Sequence, residues 1–253
     1  MAERNTSTPA IILTVKNSGE SDRSVRALSP ERGIFYCTLY GGPKSRMRSL
    51  VQPFSTGRIW LYEDQAKKSC KITDFSVESC HISFRTSLYK MWAANLACEL
   101  VIKTKCAGEY EKSYVLLKAL MDGMDACDED EARAGTLRFL WRYLGVMGLQ
   151  PDTERCSQCG EPLAVRPEDS AFYSHENNGF TCADCATERS GGLRMDSEGL
   201  RYLRAVSSLS PARVRGISVS PQSAWLIKST LYFLAEHAAG TKLKSLESGI
   251  GIL

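Results

Sequence analysis

Two Cys-x-x-Cys pairs, Cys156-Ser157-Gln158-Cys159 and Cys182-Ala183-Asp184-Cys185, separated by 22 residues, constrain this chain more than any other feature. A gap of two residues lets both sulfurs of a pair turn onto one ion, and Gly160 directly after the first pair lets the knuckle relax. Four thiolates around a d10 ion give closed tetrahedral coordination. The spacing therefore predicts one structural Zn2+ per chain, held by Cys156, Cys159, Cys182 and Cys185. Sites of four cysteines also hold iron, and free core thiols or two redox dithiols are the remaining readings. With every position taken by protein, no place is left for a catalytic water. His175 lies between the pairs as a redundant fifth donor and reads as a surface or hairpin residue. Residues 171–174 and 179–181 fit a short hairpin inside the same loop.

The other six cysteines, Cys37, Cys70, Cys80, Cys98, Cys106 and Cys127, lack ligand spacing and read as small buried hydrophobes. The polar start MAERNTSTPA offers no apolar core of a signal peptide. No run of 18 apolar residues suggests a membrane span. A cytoplasmic, reducing setting is expected, in which thiols stay free or bind metal.

Hydrophobic period divides the chain. Short β-rich runs at 10–15, 22–28, 34–40, 57–62 and 68–77 are broken by Gly, Pro and Ser clusters, as in a small sandwich or barrel. The longest interruption, 41–55, is polar and basic. From residue 86 the period is helical. Ser87 caps a helix whose stripe is Leu88, Met91, Trp92, Asn95, Leu96, Glu99 and Leu100. A second helix is expected at 109–124. A third begins near 130, with Leu137, Leu140, Trp141, Leu144 and Met147 on one face, and ends at Gly148 before Pro151. Helices resume at 196–208 and 221–239, the latter with Ser220 as N-cap, Pro221 at the first position and Gly240 as stop. Its face is Ile227, Leu231, Leu234 and Ala238.

The net charge of +3 decides nothing alone, but residues 1–85 carry 13 Lys and Arg against 8 Asp and Glu. A basic first third suits phosphates or another acidic partner. Within it Lys44, Arg46 and Arg48 put three cations in five residues, Arg58 follows, and Lys67 and Lys68 extend the supply. Loops leading out of small β-barrels bind oligonucleotides, so these six are the candidate DNA-binding residues, set against ordinary solvated charges. Tyr40, Trp60 and Tyr62 could stack on bases but read better as barrel core. The loop is not an ATP site: it lacks the first glycine of the phosphate-loop pattern, and Pro43 precedes the lysine.

Taken together, these residues resemble the RecO family of bacterial DNA repair proteins. Gly19-Glu20-Ser21-Asp22-Arg23 and Ser29-Pro30-Glu31-Arg32-Gly33 are similar to that family's strand and turn, with Ser29 in place of Thr. Gly41-Gly42-Pro43-Lys44-Ser45-Arg46 resembles its basic loop, and residues 50–54 its Leu-to-Pro-Phe segment. Gly148-Leu149-Gln150-Pro151 leads into the first Cys pair as the family's zinc module does, and His237 with Lys242-Leu243-Lys244-Ser245 is similar to its last helix. The resemblance implies an α+β multidomain chain: an N-terminal OB-fold β-barrel, then an all-α domain with an inserted four-cysteine zinc module. The expected divisions are 1–84 for the barrel, 85–152 and 189–253 for the helical parts, and 153–188 for the zinc module.

The resemblance further implies binding of single- and double-stranded DNA, strand annealing, and partnership with RecR in loading RecA onto DNA coated by single-strand-binding protein. Docking of that protein's acidic tail is not carried over by any motif. Arg201, Arg204, Arg213 and Arg215 are candidates for it by charge, against solvated surface charges.

Catalysis is not expected. A zinc deaminase needs H-x-E before P-C-x-x-C; here His175 and Glu176 are adjacent and no proline precedes Cys182. Three histidines and no H-E-x-x-H leave no other enzyme pattern, and no small-molecule substrate is implied. The competing reading is a zinc-ribbon interaction scaffold without DNA binding of its own.

Overall fold

The computed structural model describes residues 5–42, 45–64, 66–166, 168–186 and 193–253. Five strands, β1 (Asn5–Ser18), β2 (Asp22–Ser29), β3 (Gly33–Leu39), β4 (Thr56–Asp64) and β5 (Ser69–Ser79), close into a barrel in the order β1-β2-β3-β5-β4. This is the OB-like architecture that the resemblance implied. β1 is longer than the expected 10–15. Its first half pairs with β4, from Asn5↔Tyr62 to Ile11↔Thr56, and its second half with β2, from Ile11↔Leu28 to Ser18↔Asp22. Pro9, which has no N–H to donate, lies in the half paired to β4, where the β2 ladder has not begun.

Alternation sets the barrel interior. On β4, Ile59 and Leu61 are buried, and with Ile12, Val25, Leu39, Ile72 and Phe75 they form an almost wholly aliphatic core. Trp60 and Tyr62 have the other parity and are half-buried, and Tyr40 is 51% exposed. The expectation that these three aromatics fill the barrel is therefore corrected, because the pleat turns the Arg58-Trp60-Tyr62 row outward. The basic stretch 41–55 is not all loop either. It holds a one-turn helix, α1 (Arg46–Leu50), whose Met47 and Leu50, with Val51, pack on the barrel core.

The helices are α2 (Leu88–Thr104), α3 (Tyr110–Asp125), α4 (Glu129–Val146), α5 (Ser197–Ser208), α6 (Pro211–Arg215), α7 (Pro221–Ala239) and α8 (Lys244–Ser248). Ser87 caps α2 as expected, its hydroxyl accepting from Lys90 N at 3.3 Å. The expected α2 stripe has the wrong phase. Only Leu96 and Leu100 of it are buried, whereas Tyr89, Ala93, Ala94, Ala97 and Val101 are. Leu88 is exposed. The small alanines let neighbours approach closely on a face that residue size does not advertise. On α4 and α7 the expected faces hold, through Leu140, Trp141 and Leu144 and through Ile227, Leu231 and Leu234.

A second sheet, β7-β6-β8, is built from β6 (Ser170–Ser174), β7 (Gly179–Cys182) and β8 (Arg194–Asp196). The β6–β7 pair is the expected hairpin with a third strand added. Of the scattered cysteines, Cys37, Cys98 and Cys106 are buried, and Cys70, Cys80 and Cys127 are half-buried. No helix among the described residues is long and apolar enough to cross a membrane.

The chain divides into two compact units. Unit 1 comprises the chain up to Gly135 together with Leu243–Leu253; unit 2 is Thr136–Lys242. The return of the last segment to unit 1 is fixed by polar contacts. Glu99 on α2 accepts from Lys244 N (3.0 Å), Ser245 N (2.8 Å) and Ser245 Oγ (2.6 Å), satisfying the first turn of α8. Arg133 Nη1 donates to Ile252 O at 3.1 Å.

Burial pushes the Glu99 carboxyl up, but the Ser245 and Lys244 hydrogen bonds outweigh it and hold the group below the ordinary glutamate value. A depressed carboxylate stabilises the fold above its unfolded pKa of about 4.3 and loses that contribution as pH falls below it. Glu99→Ala is expected to cost about 1.5–3 kcal/mol, the usual range for hydrogen bonds to a charged group. It should selectively raise amide exchange over residues 243–253. Acidification of the wild type below about pH 4.3 should loosen the same amides, and unchanged exchange there in both experiments would contradict the assignment.

Candidate functional site

In unit 2 the four cysteines of the paired motif converge. Their sulfurs all lie within 4.8 Å of one another, with Cys159 Sγ and Cys182 Sγ 3.8 Å apart. A tetrahedron with metal–sulfur bonds of about 2.3 Å has edges of about 3.8 Å, so the cluster has the dimensions of a thiolate cage. Local backbone explains the convergence. Cys156 N donates to Glu161 O and Gly160 N to Cys156 O, a tight turn that Gly160 completes at φ +77°. Ser157 N donates to Phe180 O, tying this knuckle to β7. Cys185 N and Ala186 N both donate to Cys182 O, forming the second knuckle. A side chain at Gly179 would stand 2.8 Å from Ser157 Cβ, so the close approach of β7 to the first knuckle needs glycine there.

The electrostatics suit a cation. Burial pushes the Cys156 thiol up, yet N–H groups of Cys159, Cys182 and Gln158 around its sulfur bring it down to about 6. The hydrogen-bonding thiols of Cys159 and Cys182 push Cys185 up to about 12. One thiolate thus forms readily and opposes ionisation of its neighbours. A dication at the centre reverses that opposition and lets all four ionise. The donor set is soft, complete and free of carboxylate, which fits zinc or iron rather than magnesium or calcium. His175 is exposed and lies outside the cluster, edge-on to Phe233 with ring centroids 4.7 Å apart.

The candidate DNA-binding residues belong to unit 1 and form separate groups. Lys44 lies outside the described residues. Arg46 and Arg48 are carried by α1, the first exposed and the second half-buried. Lys67 and Lys68 are exposed neighbours in the β4–β5 turn, where Lys67 N donates to Asp64 Oδ1 at 3.1 Å. That turn is one of the connections through which OB-folds hold oligonucleotides. Arg58 is exposed on the outer face of β4 opposite Pro9, six residues or about 20 Å of strand before Asp64. It is not gathered with the turn.

Arg23 was not among the candidate binding residues. It faces Leu39 in the β2–β3 register and shares the inward parity of Val25 and Ala27. It therefore lies at the end of the barrel, where its Nη1 donates to Arg48 O at 3.3 Å. The parity was readable in the sequence, but the helix that meets it was not. Among the arginines named for an acidic tail, Arg204 is committed to Thr153 O at 2.6 Å and to Glu154, while Arg201 and Arg213 are exposed.

Residues 1–79 match the family model described as recombination protein O N terminal, and residues 85–247 match that of recombination protein O C terminal. The chain is similar to the DNA repair protein RecO of Solidesulfovibrio magneticus, with 28% identity over 80% of this chain and 82% of that one. It is also similar to that of Desulforamulus reducens, with 24% identity over 94% and 91%, and to that of Syntrophobacter fumaroxidans, with 28% over 83% of each. The two models follow one another along the chain and between them take in the barrel and the cysteine cluster, and the chain belongs to the recombination protein O (RecO) family.

Proposed function

We propose that this chain is a recombination mediator in DNA repair, binding single- and double-stranded DNA, promoting annealing, and with RecR helping to load RecA onto strands coated by single-strand-binding protein. The observation that carries the reading is an OB-like barrel with cations on α1 and in the β4–β5 turn, in a chain whose relatives are named as DNA repair proteins. Lys44, Arg46, Arg48, Arg58, Lys67 and Lys68 contact phosphates rather than bases, so binding is largely independent of sequence. Neutralising phosphates lowers repulsion between complementary strands, and base pairing then drives annealing with no catalytic group. Cys156, Cys159, Cys182 and Cys185 hold one zinc ion that keeps the β6–β7 hairpin rigid. Single-strand-binding protein is a proposed partner, by charge, at Arg201 and Arg213. The setting is the reducing cytoplasm.

The test is anisotropy of labelled single-stranded DNA titrated with the protein across a salt series, with metal content assayed on the same sample. Tight binding that weakens steeply with salt is expected. The triple variant Lys44→Glu, Arg46→Glu, Arg48→Glu should lose DNA affinity while keeping its fold and metal. Its salt slope should become shallower by roughly 0.7 per lost single-strand contact. Metal present with no DNA binding at low salt would replace this reading by that of a protein-interaction scaffold.

A further inference from the structure

A guanidinium withdrawn from water normally meets a carboxylate. Arg23 and Arg48 break that pattern. Both are half-buried, and Arg23 Nη1 reaches the backbone oxygen of Arg48, bringing the Arg23 side chain to the helix that carries Arg48. Arg23 Nε and Arg48 Nη1 are buried without any hydrogen-bond partner. Among the described residues neither arginine takes part in an ion pair. Burial, and then the charge of Arg48, lower the pKa of Arg23, so the neighbouring cation is felt there.

Two like charges near enough for one to be felt at the other, each with a buried N–H left unpaired, raise the free energy of the free protein unless something offsets both defects. A tetrahedral oxyanion does so at once. Its negative charge cancels the repulsion, and its several lone pairs match two planar donor forks. Groups suited to a nucleic-acid strand flank the pair in the chain. Arg46, on the same turn as Arg48, is exposed, and Tyr40, one residue past the register partner of Arg23, is exposed under Lys71 Nζ at 5.0 Å.

We propose that Arg23 and Arg48 form a two-guanidinium clamp for one phosphodiester group of a bound nucleic-acid strand, which makes Arg23 a binding residue in its own right. The proposal rests on the reading that the barrel binds DNA and names a site within it. It also carries a signature that a purely structural arginine lacks. Removing one of two unpaired like charges should weaken DNA binding without weakening the fold.

The experiment compares wild type, Arg23→Gln, Arg48→Gln and the double variant. It measures affinity for a labelled oligothymidylate by anisotropy across a potassium chloride series, and melting temperature without DNA. Each single variant is expected to bind about tenfold more weakly at low salt, and the double variant, which frees the phosphate altogether, should show a salt slope shallower by about 0.7, the value for one single-strand phosphate contact. The double variant should lose less than the product of the two effects, because both side chains hold the same phosphate. The melting temperature of Arg23→Gln should equal or exceed that of wild type. Wild-type affinity in Arg23→Gln, or a wild-type salt slope in the double variant, beside a wild type that binds DNA, would overturn the clamp and leave the DNA reading standing. A lowered melting temperature in Arg23→Gln would assign Arg23 to holding α1 through the Arg48 carbonyl, and would also overturn it. Failure of the wild type to bind DNA would remove the DNA reading, and the clamp with it.

Discussion

Replacing Cys159 by serine should empty the cysteine cluster of metal and melt the segment around it. This position isolates the metal's contribution, because Cys159 is exposed and a hydroxyl in place of a thiol there disturbs no packing. A change that would otherwise be nearly neutral then reports on coordination alone. Structural zinc contributes on the order of 10 kcal/mol to the folding of small segments that wrap it. The segment concerned is small: two short paired strands, a three-residue third strand and two knuckles, anchored apart from the metal by the buried rings of Tyr173 and Phe180. Metal content should fall from one ion per chain, and amide protection across β6 and β7 should collapse while that of the barrel strands persists. A chelator should produce the same pattern in the wild type. A Cys159→Ser protein that keeps its metal and its β6–β7 protection would show that the four thiols do not act as one site.

The second large effect is expected at Gly57. The β4–β5 ladder has a bulge at Thr56/Gly57, and a Cβ at position 57 would stand 2.1 Å from Ser76 O and 3.0 Å from Val77 Cα. Those are backbone atoms of a paired strand, so no rotamer change relieves the overlap. The strand would have to separate where β4 is also paired with β1, through Ala10↔Gly57. Gly57→Ala should therefore cost about 3 kcal/mol or more, at the upper end of overpacking effects. Chemical denaturation monitored on the barrel would read it. A midpoint within about 0.5 kcal/mol of wild type, the range of an ordinary surface substitution, would mean that the close approach is not maintained in solution.

How far the molecule could be read from its residues depended on the range of the interactions involved. The cysteine cluster was legible because coordination chemistry itself dictates the spacing of its ligands. The ends of α2 and α7 were legible for a similar reason: Ser87 and the Ser220-Pro221 pair act within one turn. Length set the first limit. Ser210-Pro211 opens α6 with the same signature as Ser220-Pro221, but five residues give no period to confirm it. α1 was hidden in the same way, its two arginines masking the contacts of Met47 and Leu50.

The second limit was tertiary. The buried face of α2 follows what packs on it, and alanines are silent about that. The grouping of cations follows the course of strands through space, so Lys67 and Lys68 stay together while Arg58, close in sequence, does not join them. Arg23 reads as an unremarkable strand residue until α1 is placed against it.

The discontinuity of unit 1 has a mechanical consequence. Strand β1 and helix α8, near opposite ends of the described chain, are both parts of unit 1, and unit 2 lies wholly between Thr136 and Lys242. Tension applied between β1 and α8 would therefore be borne first by unit 1, through the barrel ladders and the Glu99 and Arg133 contacts. Force would reach the cysteine cluster once the α8 contacts had given way. A pull on this molecule should therefore free α8 before the four cysteines bear any load.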